Sequence, residues 1–189
     1  MLFAAAVTVT APSFSAVVAA CVAVLLLLCS AFASGSEIAF FSLTRENLND
    51  MAESKSAKDR RVIELLKEPE RLLATILIVN DFVNIGVVTL LNFFFLDILH
   101  FGPGSEWIQF LLFTVVLTFL LLLFGEVMPK IYSKSNVVKF ARFASGSFFV
   151  LLRLLSPFSK LLVRSTAFTQ RIVSKKNRML SVDELEQAL

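Results

Sequence analysis

The sequence is poor in the residues that most catalytic sites use. Its 189 residues include one histidine, His100, two cysteines, one tryptophan and one tyrosine. A single histidine excludes a histidine-based catalytic pair or zinc centre built from this chain alone. Cys21 and Cys29 lie eight positions apart in one apolar run, a spacing that neither bridges along a helix nor matches a zinc pattern, so both read as packing residues. No phosphate-cradling glycine loop and no nucleophile–base pair is visible, so the chain does not read as an enzyme. Nothing resembles nucleic-acid recognition. Positive charge is also missing over long stretches: no Lys or Arg occurs before residue 45 or between residues 72 and 129.

Apolar surface fills those stretches. The chain is 57% hydrophobic with 20 phenylalanines, and its mean hydropathy is +0.78. That is too apolar for a water-soluble domain of this size, so the bilayer is the expected solvent. Residues 14–33 supply 20 uncharged positions, residues 72–96 supply 25 with Asp81 as the only charge, and residues 107–124 supply 18 with none. About 20 apolar residues cross the hydrocarbon core, which predicts spans over about 14–43, 72–96 and 107–128. The first run lacks a positive n-region and does not read as a cleaved signal. Residues 143–163 are interrupted by Arg153, Pro157 and Lys160; they read as a broken amphipathic helix in the interface, with a fourth span as the alternative.

Of the 18 Lys and Arg, seven lie from Arg45 to Arg71 and eleven from Lys130 to Arg178. Three spans put all of them on one side, and the positive-inside rule makes that side cytoplasmic, with the N-terminus outside. The connector from Arg45 to Arg71 mixes seven basic with seven acidic residues and holds a short amphipathic helix at about 55–68. Asp97 and Glu106 flank the outer turn and read as solvated. At the end, "SVDELEQAL" opens on a capping box, Ser181 with Glu184, and no stop signal follows. The expectation is a helix cut while running, in a fragment of a longer protein.

Polar groups inside hydrocarbon face a cavity or a partner. Three clusters occur: Ser34, Ser36 and Glu37 with Ser30 one turn earlier; Asn80, Asp81 and Asn84; and Gly125 with Glu126. Ser30 and Ser34 share a helix face, as do Asn80 and Asn84, while Asp81 points about 100° away from Asn80. Ser34 is eleven residues before Arg45 and Asn80 nine after Arg71, so both lie roughly 13–17 Å from the basic surface on straight helices. Glu126 precedes Lys130 by four residues and starts nearer that surface. Pro129 has no N–H, so the carbonyl four residues earlier, that of Gly125, loses its helical donor. A bare carbonyl beside a carboxylate is a hard-oxygen site for a cation. Reaching the two other clusters requires a distortion of the third helix at Gly125–Pro129. The bland alternative is close helix packing with single interhelical hydrogen bonds.

These residues resemble a known family. "ASGSEIAFFSLTRENL" looks like the first-helix signature of the CNNM/CorC magnesium transporters, whose membrane module is called the DUF21 domain. "KEPERLLATILIVNDFVNI" is similar to the family's second-helix pattern, and "FGEVMPKIYSKSN" resembles its third-helix "GExxPK" segment. The resemblance covers roughly residues 15–145. It implies an all-α integral membrane domain over 1–165, with three transmembrane helices, a juxtamembrane helix and a belt helix at about 130–165. Residues 166–189 would begin a cytosolic acidic helical bundle. It further implies a homodimer in the inner membrane that binds dehydrated Mg²⁺ and exports it, with Na⁺ as coupling ion in some members. By position, Ser34, Asn80, Gly125 and Glu126 fall on the metal-binding motif, with Asn84 and Pro129 also on matching positions. Ser30, Ser36, Glu37, Asp81 and Asn84 are secondary ion-pathway candidates; Asp81 departs from the family, which more often has a neutral residue there. Full-length members continue into a CBS pair that binds ATP, which this chain lacks. Two rivals remain: a membrane anchor or assembly scaffold, and a Mg²⁺ sensor without flux.

Overall fold

The structure is a computed structural model and describes residues 8–102 and 104–159. The expected bundle start at 166–189 and the ends of the belt helix and of the 143–163 segment lie outside the described residues. The architecture is all-α apart from one two-residue ladder. Strand β1 (Thr8–Val9) precedes α1 (Phe14–Phe41), α2 (Arg45–Glu53), α3 (Ala57–Leu66) and α4 (Pro69–Ile98). Strand β2 (Leu99–His100) then leads to α5 (Glu106–Leu120), a π-helical segment (Leu121–Val127), α6 (Met128–Ser135) and α7 (Val137–Leu154).

Among the described residues three helices are long and apolar enough to cross a membrane: Phe14–Phe41, Pro69–Ile98 and Glu106–Ser135, with mean hydropathies of 2.8, 1.9 and 2.5. At about 1.5 Å per residue, 28–30 residues reach roughly 42–45 Å, the thickness of a bilayer with its headgroups. Local signals set their starts. Ser13 caps α1 by accepting the Ala16 N–H at 3.2 Å, and Pro69 opens α4, where its missing donor is not needed.

Helix α1 lies at the centre, packed on α4, α6, the π segment and α7. Its buried face is small: Ala16, Ala19, Ala23, Ala33, Ser34 and Gly35 among others. Small residues let backbones approach closely when no water drives association. A β-carbon on Gly86 of α4 would come within 2.8 Å of Leu26, and one on Gly35 within 2.7 Å of Phe140 of α7. Cys21 and Cys29 lie on the exposed side of α1, because the buried stripe is taken by these smaller residues.

The basic end holds a conventional core. Helix α2, unread in the sequence, starts from a reciprocal cap between Thr44 and Asn47. Phe40, Met51, Val62, Leu72, Ile76 and Phe148 meet there and are almost wholly buried. Helix α7 begins at Val137 rather than near residue 130, because Met128–Ser135 continues the third span before the chain turns at Asn136. At the opposite end, β1 and β2 pair antiparallel, Thr8 with His100 and Val9 with Leu99. Asp97 is not merely solvated there: its carboxylate accepts the Ser13 N–H at 2.7 Å, and its carbonyl accepts from the Thr10 hydroxyl at 2.8 Å. The start of the first span is thereby fastened to the end of the second.

Candidate cation site

Hydroxyl and amide oxygens from two spans meet a glycine of the third. The Ser30 hydroxyl donates to Asn84 Oδ1 at 2.6 Å and lies 3.0 Å from Asn80 Oδ1. Ser34, one turn on, lies 3.3 Å from Asn80 Oδ1. Both serines are essentially buried, and both asparagines are half-buried. The i, i+4 spacing on each helix makes this pairing: each span offers two polar groups on one face, and the faces meet.

Gly125 closes the third side. It is buried in the π segment, and a β-carbon there would sit 3.0 Å from Ser30 Oγ and 3.2 Å from Leu121. A π turn carries one extra residue and shifts the ladder, as the Met128 N–H bonded to the Leu123 carbonyl shows. The distortion therefore occupies Leu121–Val127, and Pro129 sits within the first turn of the α-helix that resumes after it. Proline has no N–H to give the Gly125 carbonyl four residues earlier, and the irregular winding lies just before it.

The remaining sequence candidates separate. Glu126 is half-buried beside Gly125 in the π segment. Glu37 does not face the cluster; it pairs with Lys130 at 3.1 Å near the basic surface. Ser36 donates to the Phe32 carbonyl of its own helix at 2.6 Å. Asp81 is exposed on α4, away from the Asn80–Asn84 face. One contact had no sequence signal. Buried Ser133 of α6 donates to the Gly35 carbonyl at 2.5 Å, tying the third span to the first below the cluster. Its setting in a basic segment reads as a solvated serine until the helices are brought together. Among the described residues no three His, Cys, Asp or Glu side chains gather, so neutral oxygens dominate.

The model of the cyclin M transmembrane N-terminal domain, CNNM, matches residues 21–189 of the chain. The chain belongs to the CNNM family. Relatives agree with that membership. The chain is 29% identical over 169 residues to a UPF0053 protein of Haemophilus influenzae, covering 86% of the chain and 39% of that protein. It is 33% identical over 147 residues to the UPF0053 inner membrane protein YfjD of Escherichia coli, covering 78% of the chain and 33% of that protein. This CNNM chain thus spans well under half the length of both relatives. The match places the three apolar helices in a membrane, and the all-α architecture expected from the sequence is the one observed.

Proposed function

We propose that this CNNM membrane domain transports Mg²⁺ and exports it in exchange for Na⁺. One observation carries the reading: buried Ser30 and Ser34 and half-buried Asn80 and Asn84 form an oxygen cluster against Gly125, where the third span is wound irregularly. Mg²⁺ takes oxygen ligands at about 2.0–2.1 Å in near-octahedral geometry and releases water reluctantly. Oxygens from Ser34, Asn80 and the Gly125 carbonyl replace part of its shell, and Glu126 neutralises charge. Ser30 and Asn84 orient the first two by the hydrogen bonds described. Irregular backbone at such depth is tolerated where it lines a cavity, and an α–π register change is a local motion that moves Glu126 relative to the cluster.

The wider assignments rest on the same reading. The domain works as a homodimer in the inner membrane, N-terminus outside and C-terminus cytoplasmic, as the charge asymmetry indicates. The test is Mg²⁺ flux in reconstituted vesicles with and without a Na⁺ gradient. Wild type is expected to move Mg²⁺ and Glu126→Ala to lose calorimetric Mg²⁺ binding. Absent flux, together with unchanged affinity in that variant, would sink the assignment. A specific observation favours one rival, the helix-packing scaffold: the serine hydroxyls are already satisfied by asparagine oxygens. Under that rival Ser34→Ala lowers dimer stability and leaves ion binding unchanged.

A further inference from the structure

Outside the bundle, a groove runs between α1, α6 and α7. Its apolar body holds about 410 Å³, floored by Ala31, Phe32, Met128 and Pro129. Its mouth holds about 360 Å³ and adds Asn136 and Lys139, with Tyr132, Phe140 and Phe143 shared between the two parts. The walls are fixed aromatics. Phe32 stacks on Phe140 with ring centroids 6.1 Å apart and meets Phe143 edge-on at 5.6 Å. Phe140 is held against Gly35. Yet Met128, Tyr132 and Phe143 remain 52%, 64% and 71% exposed.

Polarity is ordered along this groove. The apolar end reaches Ala31, about midway along the first span, and the polar end carries a lysine on the basic side of the domain. Lys67, Arg71, Lys130 and Arg142 each pair with a carboxylate. Among the described residues Lys139, like Lys134 and Arg153, has no such partner; it is the cation that lines this mouth, and no acid does. An apolar trough leading to an unpaired cation repeats the order of groups in a phospholipid. No carboxylate lines the mouth to offset Lys139, so its charge favours a headgroup of net negative charge over a zwitterionic one.

We propose that this groove binds one anionic glycerophospholipid. Its phosphate meets Lys139, Asn136 and the Tyr132 hydroxyl, and one acyl chain lies along Phe32, Met128 and Pro129. The site is independent of the transport reading, although its occupant touches the helix that follows the π segment.

The test is native mass spectrometry of the full chain in detergent, titrated with dioleoylphosphatidylglycerol or dioleoylphosphatidylcholine. Wild type is expected to retain the glycerol lipid more strongly. Lys139→Gln lowers that affinity about fivefold, the effect of one interfacial cation, without changing choline-lipid binding. Lys139→Arg keeps wild-type affinity. Lys139 is exposed, so both variants are expected to keep the wild-type melting temperature. Equal affinity for the two lipids, or no effect of Lys139→Gln, overturns the proposal. So does efficient cross-linking between copies through Phe143→Cys in a Cys21→Ala, Cys29→Ala background, because a second copy then covers the groove.

Discussion

At the scale of residues, two glycines and a serine do work that larger side chains would prevent. A β-carbon on Gly35 would come within 2.7 Å of the Phe140 ring tip, so Gly35→Ala forces the ring off its rotamer or α7 off α1. The expected cost is about 1–3 kcal/mol, read as a lower melting temperature in detergent; an unchanged value would mean that α7 docks otherwise. Gly125→Ala meets Ser30 Oγ at 3.0 Å. That oxygen is fixed by two asparagines and cannot swing away freely. Under the proposed Mg²⁺ reading the variant is expected to fold and yet to lose Mg²⁺ affinity by at least about tenfold, as displaced ligand-orienting groups do. Ser133→Ala removes the bond to the Gly35 carbonyl and is expected to cost only about 0.6–1.7 kcal/mol, the range of interhelical hydrogen bonds in membranes.

Among elements, α3 and α7 are joined by an ion pair that the mixed charge of the connector does not single out. Asp59 accepts from Arg142 at 2.5 and 3.0 Å, and its side chain is 1% exposed. The Arg142 guanidinium holds the Asp59 carboxyl below its usual value and outweighs burial, which pushes it up, with the Ser54 hydroxyl helping. A depressed folded-state value means this contribution is complete above the unfolded value of about 3.9 and is lost as pH falls through the folded one. Asp59→Asn is therefore expected to lower stability by about 1.5–3 kcal/mol near pH 7. The difference from wild type should shrink under strongly acidic conditions, and a pH-independent difference in melting temperature would contradict the pairing. The positions of these elements were partly legible. Amphipathic spacing announced α3, but α2 was hidden because "RENLNDMAE" is polar apart from Leu48, Met51 and Ala52, of which only Met51 joins the buried core.

For the whole molecule, charge asymmetry makes an experiment on sidedness direct. Lys58→Cys and Lys134→Cys, each with Cys21 and Cys29 replaced by alanine, are expected to react with a membrane-impermeant maleimide only after inverted access or permeabilisation. A cysteine at Glu106 is expected to react from the outside of intact cells. Labelling of Lys58→Cys in intact cells would reverse the topology. The clasp at the end away from the basic residues, Asp97 with Ser13 and Thr10, belongs to the same scale, since it joins residues more than eighty positions apart.

The sequence by itself determined three spanning helices and the polar residues that hydrocarbon makes expensive, because apolar length acts locally. It also showed Ser30 with Ser34 and Asn80 with Asn84 as face-mates, since the helical repeat alone fixes that. Only the tertiary structure decided which faces meet. Glu37 turns to Lys130, Asp81 turns outward, Ser133 reaches Gly35, and the third helix is rewound over Leu121–Val127. Each of these depends on rotation and approach between helices, which packing of small residues sets and no single span encodes.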